Sequence, residues 1–326
     1  MKEKIITKKI LKWYDLNKRS LPWRKKVSLK RKQYYTLISE FMLQQTQVTT
    51  VIPFFNRFIK NLPSINSLAK VEEKKLIKLW EGLGYYSRAR NLKKTAQVII
   101  KNFNGKLPSN FKDLLTLPGI GNYTANAILA IAFNKPYIPL DGNIERVLKR
   151  YLYLKKKKEI LKDNLSQKKD IFGTSLRSCD YAQALMELGA LICKPSNPRC
   201  YQCPIRGNCR SYKKQDFSLI KNIKKNKDKF FILKVYKKNQ SYLLIKNTKF
   251  SFLKNLSIFP MFELTNPKNF NENLNFKMSN MNMNIKIQYS KDNQKFPSSY
   301  WMDRKKIDNY MLPSFTKKVV QYLEKN

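Results

Sequence analysis

The sequence predicts an α + β protein of more than one domain. We expect an all-α first domain over residues 1–210 and a smaller α/β domain over residues 230–326. Apolar residues recur at helical spacing as far as about residue 210, whereas beyond it they alternate as they do in strands. All 9 glycines lie at or before Gly207, so the two parts differ in composition as well as in pattern.

The elements follow in order along the chain. Proline and glycine interrupt the first domain frequently between residues 53 and 142, which predicts many short helices with tight connections. The lysine-rich residues 211–229 are predicted to form a linker. The second domain is predicted to contain strands at 230–236, 241–247 and 282–290 and a closing helix at 313–326.

Composition narrows the class of function. The 326 residues include 66 Lys+Arg against 22 Asp+Glu, which gives a formal net charge of +44. Such an excess points to a polyanionic partner, although a general drift of composition towards Lys, Ile and Asn would also produce it. The chain contains 0 histidines, which excludes Ser-His-Asp catalysis and histidine-ligated zinc. Any chemistry must therefore use carboxylates, Lys, Tyr, Cys or a cofactor.

The predicted location is cytoplasmic, with no membrane partner. The N-terminal residues 1–19 are basic but lack the apolar core of a signal peptide. The apolar run at 125–133 is about half the ~18–20 residues that a membrane helix needs. In that compartment the five cysteines should be reduced or bound to metal.

Four of the cysteines form a cluster in the sequence, Cys193-x6-Cys200-x2-Cys203-x5-Cys209. Four thiolates in so short a segment can surround one metal centre. Without histidine, the candidates are an all-cysteine zinc site and a [4Fe–4S] cluster. A single C-x2-C pair between wider gaps favours the iron–sulfur cluster, and two disulfides are the remaining alternative. Cys179 lies outside this set and is interpreted as a small buried residue.

A helix, a four-residue turn and a second helix are predicted over residues 114–133. Gly119 and Gly121 allow a tight backbone turn whose N–H groups could bind a phosphate at the start of the second helix. An ordinary helical hairpin would show the same spacing, so the pattern alone leaves both readings open.

Two carboxylates could act together. Asp141 precedes a predicted helix, where an N-cap role would lower its pKa and keep it ionised. Glu40 lies among apolar residues, which would raise its pKa, although a glutamate on an exposed helix face is the commoner case. One protonated and one charged carboxyl are the arrangement that cleaves a glycosidic bond through a sugar cation.

Together, the L-P-G-I-G turn, Asp141 and the cysteine spacing resemble the helix–hairpin–helix DNA glycosylases of the endonuclease III superfamily. Segments LPWR (21–24), SEFMLQQTQV (39–48) and WEGLGYYSRARNL (80–92) are similar to those of adenine DNA glycosylases of the MutY type. That family removes adenine paired with 8-oxoguanine. The resemblance is dense over residues 10–210 and weak over 230–326.

The resemblance implies catalytic roles at four positions. Glu40 would protonate a ring nitrogen of adenine, Asp141 would stabilise the oxocarbenium ion, and Asn143 would hydrogen-bond to Asp141. Tyr123 stands where bifunctional relatives have a lysine that forms a Schiff base, which implies a monofunctional enzyme.

Further positions imply DNA contacts. Arg24 and Gln183 match residues that line the pocket for the flipped adenine, while Gln45 and Tyr85 match residues that enter the base stack. The implied partner is duplex DNA with A:8-oxoguanine or A:G mispairs, bound by a monomer. The alternatives are an endonuclease III-like or thymine-mismatch glycosylase and a non-catalytic iron–sulfur DNA-binding protein.

In this family the C-terminal domain is Nudix-like and reads 8-oxoguanine. Its recognition loop commonly contains Phe-Ser-His, and the best match here is Met278-Ser279-Asn280. The resemblance implies that Ser279 contacts the damaged base, with Asn280 in place of the histidine. The second domain has no glycine and few acidic residues, so it is expected to recognise the lesion without hydrolysing it.

Overall fold

The computed structural model describes residues 4–155, 165, 167–218, 227–265, 267–278, 281–292, 295–310 and 312–325. The chain divides into two compact units. The first contains Met1–Val71 and Ser87–Lys221, and the second contains Glu72–Tyr86 and Asn222–Asn326. The inclusion of 72–86 in the second unit was not foreseen from the sequence, while the predicted boundary near residue 210 and the linker stay predictions.

The helices are numbered here along the chain. They are α1 (Ile5–Asn17), α2 (Leu29–Leu43), α3 (Val48–Asn61), α4 (Ile65–Lys70), α5 (Glu73–Trp80), α6 (Ser87–Phe103), α7 (Phe111–Leu115), α8 (Asn122–Phe133), α9 (Gly142–Leu152), α10 (Ser178–Glu187), α11 (Arg210–Lys213) and α12 (Ser314–Lys325). All except α5 and α12 belong to the first unit, which is helical as predicted. A π-helical turn, Leu188–Ile192, extends α10.

Two buried helices form the centre of the first unit. Helix α8 is apolar over most of its length, with Ala125–Ala130 almost wholly buried, and such a helix is stable only inside a core. It packs against α2, which buries Leu37, Ile38 and Phe41 completely. Polar residues lie near the end of α2 and at the start of α8. The packing of the two helices therefore brings these polar side chains together at the edge of the core.

The second unit contains two sheets. Its strands are β1 (Lys227–Val235), β2 (Lys237–Lys238), β3 (Ser241–Lys246), β4 (Ser257–Ile258), β5 (Met261–Leu264), β6 (Leu274–Met278), β7 (Met281–Tyr289) and β8 (Ser299–Asp303). One sheet has the order β5-β1-β7-β6, with β1 and β7 parallel. The other has the order β2-β3-β4, with β8 paired to β3.

Apolar side chains of both sheets pack with helix α12. Phe231, Ile285 and Phe315 are each at most 1% exposed in this core. Three predicted strands coincide with β1, β3 and β7, and the predicted closing helix coincides with α12, so the fold class is confirmed. Within the part of the chain that the structure describes, no helix is long and apolar enough to cross a bilayer.

Candidate active site

One cavity of about 1340 Å³ in the first unit collects most of the predicted catalytic and base-binding side chains. Its walls come from α2, α8 and α10, from the segment before α2 and from the start of α9. The predicted residues that line it are Arg24, Glu40, Gln45, Tyr123, Asp141, Asn143 and Gln183. Residues separated by up to 159 positions in the sequence (183 − 24) are therefore brought to one place.

Glu40 is buried on α2, with 4% of its surface exposed. Burial raises its pKa from the usual value to about 7, although the hydrogen bond from Tyr123 and the charge of Arg24 act in the opposite direction. The predicted rise in pKa is thus confirmed. A carboxyl with this pKa carries a proton during much of its time near neutral pH and can donate it.

The phenol of Tyr123 is the direct partner of Glu40. Its hydroxyl donates a hydrogen bond of 3.0 Å to Glu40 Oε2. Burial raises the pKa of Tyr123 well above its usual value, so the phenol stays protonated and keeps donating. Tyr123 therefore orients the Glu40 carboxyl and offers no amine for a Schiff base.

Asp141 is the N-cap of α9, as the sequence predicted. Its Oδ1 accepts a hydrogen bond of 2.7 Å from the backbone N–H of Ile144, and its Oδ2 accepts one of 2.9 Å from Asn143 Nδ2. The expected lowering of its pKa is wrong, because burial raises the pKa and outweighs the hydrogen bonds that lower it. An N-cap is recognisable from adjacent residues in the sequence, whereas the burial of the Asp141 carboxyl depends on elements that are distant in the sequence.

Arg146 links Asn143, the hydrogen-bond partner of Asp141, to the loop that carries the four clustered cysteines. Its Nη2 donates to Asn143 Oδ1 and to the Gly189 carbonyl, both at 2.7 Å, and its Nε donates to the Cys193 carbonyl at 2.7 Å. Gly189 permits this arrangement, because a Cβ there would lie 2.6 Å from Asn143 Cβ. The sequence did not reveal this connection, since neither Arg146 nor Gly189 belongs to a recognisable motif.

A second feature missed by the sequence analysis is the buried carboxylate of Glu187. It is 0% exposed and pairs with Arg19 Nε and with Arg24 Nη1, each at 2.8 Å. The Nε of Arg24 is buried and has no hydrogen-bond partner among the described residues, so it can donate to a bound base. The available signal was the spacing of Gln183 and Glu187, four residues apart on α10.

Gln183 and Gln45 occupy different environments in the cavity. Gln183 is 7% exposed, and its Nε2 donates to the Cys179 carbonyl at 3.1 Å. Gln45 is exposed just beyond the end of α2 and has a φ of 57°, in the left-handed region. Arg88 Nη1 supports this end of α2 by donating to the Met42 carbonyl at 2.7 Å and to the Gln44 carbonyl at 2.5 Å.

The predicted hairpin is formed by α7, a turn and α8. Gly119 has a φ of +81°, and a Cβ there would lie 2.9 Å from Phe41 Cε1. The Pro118 carbonyl accepts a hydrogen bond of 2.7 Å from Thr95 Oγ1, and the Gly119 carbonyl accepts one of 3.3 Å from Gln44 Nε2. Gly121 is the N-cap of α8, and a Cβ on it would have no atom within 4 Å. The start of α8 is therefore uncovered at Gly121, beside a braced turn.

Cys193, Cys200, Cys203 and Cys209 lie in one loop and are all free and half-buried. No disulfide joins any two of these four residues in the structure. Burial, together with the neighbouring thiols, raises the pKa of Cys203 to about 12. Arg150 Nη1 lies 3.5 Å from Cys193 Sγ.

The candidate metal centre has an all-cysteine donor set. Among the described residues, no group of three or more His, Cys, Asp or Glu is arranged to hold a metal ion. The thiols of Cys193, Cys200 and Cys209 each contribute to raising the pKa of Cys203, and the buried guanidinium of Arg150 lies beside Cys193. An all-cysteine donor set is chemically suited to zinc or to an iron–sulfur cluster.

Tyr85 is not among the residues that line this cavity. Tyr85 belongs to the second unit, is 42% exposed and has a φ of 48°. Ser279 and its neighbour Asn280 lie outside the described residues. The role predicted for Ser279 therefore stays a prediction.

Sequence comparison identifies the class to which this geometry belongs. The model of a family described as "HhH-GPD superfamily base excision DNA repair protein" matches residues 38–169, which include Glu40, the hairpin and Asp141. A solved structure of a thermostable thymine-DNA glycosylase has a TM-score of 0.58 at 29% identity and covers 64% of this chain and 96% of its own. A non-covalent endonuclease III–DNA complex, with a TM-score of 0.54 at 22% identity, shows the shared fold; it covers 66% of this chain and 98% of its own.

Closer relatives define the family within that class. An adenine DNA glycosylase of Buchnera aphidicola subsp. Baizongia pistaciae is 40% identical over 260 residues, which cover 78% of this chain and 72% of that protein. An adenine DNA glycosylase of Homo sapiens is 39% identical over 209 residues, which cover 62% of this chain and 38% of that protein. This chain belongs to the adenine DNA glycosylase family.

Proposed function

We propose that this protein removes adenine from duplex DNA, where adenine is paired with 8-oxoguanine or guanine, by hydrolysing its N-glycosidic bond. The observation that carries the proposal is that two carboxyls line one cavity: Glu40 is buried, with its pKa raised to about 7, and Asp141 is half-buried. Family membership supports adenine as the base. The raised pKa of Glu40 supports general acid catalysis, because a carboxyl can donate a proton only while it is protonated.

In the proposed reaction, Glu40 transfers its proton to a ring nitrogen of adenine. The C1′–N9 bond then breaks, and its electron pair leaves with the base. The sugar cation is stabilised by ionised Asp141, which Asn143 and the start of α9 hold in position. Water then adds to C1′ and gives a proton to the carboxylate left on Glu40, which restores the acid and leaves an abasic site. The absence of an amine at Tyr123 favours release of the base without strand cleavage.

Base recognition requires the adenine to leave the helix and enter the cavity. Arg24 and Gln183 would contact it there, while Gln45 and Tyr85 would occupy the disturbed stack. The N–H groups at Gly119–Gly121 would bind a backbone phosphate, supported by the general positive charge of the chain. The sheet unit, with Ser279, would recognise 8-oxoguanine as a Nudix-like domain.

The decisive experiment uses labelled duplexes that contain A:8-oxoguanine, A:G or thymine glycol, assayed with and without alkali. We expect adenine release with nicking that depends on alkali. Glu40→Gln should lower the single-turnover rate by about 10²–10⁴-fold with duplex binding retained, because the general acid is lost. Glu324→Gln, an exposed carboxyl on α12, is the matched control and should match the wild type. Alkali-independent nicking of thymine glycol would favour an endonuclease III-like lyase instead, and binding without any turnover would favour the non-catalytic alternative.

We also propose that the four cysteines hold one [4Fe–4S] cluster. The proposal is supported by the all-cysteine donor set and by the mutual influence of the thiols. The purified protein should be brown, with broad visible absorbance, and Cys203→Ser should lose both the colour and the bound iron. Cys179→Ser is the matched control and should keep them. Stoichiometric zinc in a colourless protein would contradict the assignment.

A further inference from the structure

Segment 72–86 carries Tyr85, yet it is grouped with the C-terminal sheets instead of with the helices that flank it in the sequence. Its helix α5 buries Leu76, Ile77 and Trp80. Glu81 follows α5 directly and precedes Tyr85 by four residues. A contact between Glu81 and the C-terminal part of the chain would therefore act close to the predicted intercalating side chain.

Such a contact is present. Lys317 Nζ, on α12, lies 2.6 Å from Glu81 Oε1, and Lys78 Nζ lies 3.1 Å from Glu81 Oε2. The Glu81 side chain is 16% exposed and that of Lys317 is 32% exposed, so water and salt screen the pair less than they would a fully exposed one. The two lysines hold the pKa of Glu81 below its usual value despite its burial, so the carboxylate stays charged.

The backbone between Glu81 and Tyr85 leaves little freedom to absorb a displacement. Gly82, Gly84 and Tyr85 have φ values of 104°, 71° and 48°. The fully buried Trp80 donates from its Nε1 to the Gly84 carbonyl at 3.2 Å. Because this turn is short and internally bonded, a shift of Glu81 is passed on to Tyr85.

We propose that Glu81 and Lys317 are positioning residues, through which the C-terminal helix fixes the turn that presents Tyr85 to DNA. The inference rests on the proposed function, because it assigns this ion pair to base extrusion. Of the two lysines that Glu81 faces, Lys78 belongs to the preceding helix α5, and Lys317 is the one that ties Glu81 to the C-terminal helix. The pair couples the unit proposed to read the lesion to the side chain proposed to enter the stack.

The test compares Lys317→Met with Lys325→Met, an exposed lysine on the same helix, so that both variants lose the same charge. Extrusion is followed in the Glu40→Gln background by the fluorescence of 2-aminopurine opposite 8-oxoguanine. Release of adenine from A:8-oxoguanine is followed in single turnovers of the otherwise wild-type chain. Lys317→Met should lower both extrusion and release by roughly 2- to 30-fold. Lys325→Met should stay within about twofold, and Lys317→Arg should restore the wild-type values.

Two double variants separate positioning from a general loss of stability. Glu81→Gln with Lys317→Met should be no worse than the more impaired of the two single variants, because both remove the same contact. In a Tyr85→Ala background, Lys317→Met should cause no further loss of extrusion, whereas a merely structural role would add its own loss. Additive losses, or equal behaviour of Lys317→Met and Lys325→Met, would overturn the inference. A wild-type chain that releases no adenine would instead refute the proposed function.

Discussion

Glu40 combines burial with an ionisable group, and its chemistry depends on the cost of that combination. The carboxyl has 4% exposure, and its pKa of about 7 reflects the preference of a poorly hydrated site for the neutral acid. Tyr123 supplies a hydrogen bond without supplying a charge. The Glu40 carboxyl therefore keeps a proton near neutral pH. If it loses this proton, the folded protein becomes less stable.

This cost predicts a pH-dependent stability. A raised folded-state pKa means that Glu40 opposes folding once it is ionised, so stability is retained below about pH 4.5 and falls as the pH rises through about 7. Glu40→Gln removes the ionisation. The free energy of unfolding of Glu40→Gln, measured relative to that of the wild type, should be up to about 3 kcal/mol higher at pH 8 than at pH 4.5.

Urea unfolding at several pH values measures this difference. Glu324→Gln serves as the control, since it makes the same carboxyl-to-amide change at an exposed position and leaves Glu40 in place. A Glu40→Gln difference that is constant from pH 4.5 to pH 8 would contradict the raised pKa.

At the scale of elements, the hairpin before α8 depends on two glycines for different reasons. Gly119 has a φ in the left-handed region and packs closely against α2, because a Cβ added to it would contact Phe41. Gly121 has an ordinary φ of −101°, and the space around it is open. One glycine therefore allows the packing of the turn, and the other leaves room for a ligand at the helix N-terminus.

Alanine substitutions should separate these roles. Gly119→Ala should lower the free energy of unfolding by about 2–4 kcal/mol, because it adds backbone strain and a steric overlap in the core. Gly121→Ala should leave stability within about 0.5 kcal/mol and weaken duplex binding, because its methyl group occupies the approach to the N–H groups. Denaturant unfolding and a fluorescence binding assay distinguish them. Equal stability losses in the two variants would refute this division.

At the scale of the whole molecule, the net charge of +44 concerns encounter with DNA more than the chemical step. Charge spread over a surface attracts a polyanion over a distance set by the Debye length, about 8–10 Å at physiological salt. In the cavity the Glu40 carboxyl is buried and that of Asp141 is half-buried, so salt screens them less than it screens exposed charges. Binding and chemistry should therefore respond differently to salt.

We expect the affinity for an undamaged duplex to fall by about 10³–10⁵-fold between 50 and 200 mM salt, if six to ten phosphates are contacted. The single-turnover rate at saturating protein should change by less than about threefold over the same range. Titrations and single-turnover assays at matched salt concentrations measure the two effects. If the single-turnover rate at saturating protein fell with salt as steeply as the affinity does, the chemical step itself would depend on electrostatic attraction that salt screens, which would contradict this expectation.

Seven of the residues that the sequence singled out line the cavity, because motifs specify residue types and their spacing. It also predicted the fold class, three strands and the closing helix, since hydrophobic periodicity is a local property. Tertiary structure added the pairing of Glu187 with Arg19 and Arg24 and the grouping of segment 72–86 with the sheets. It also reversed the expected pKa shift of Asp141. These features depend on which distant groups meet and how much water they exclude, and neither quantity is encoded in the local order of residues.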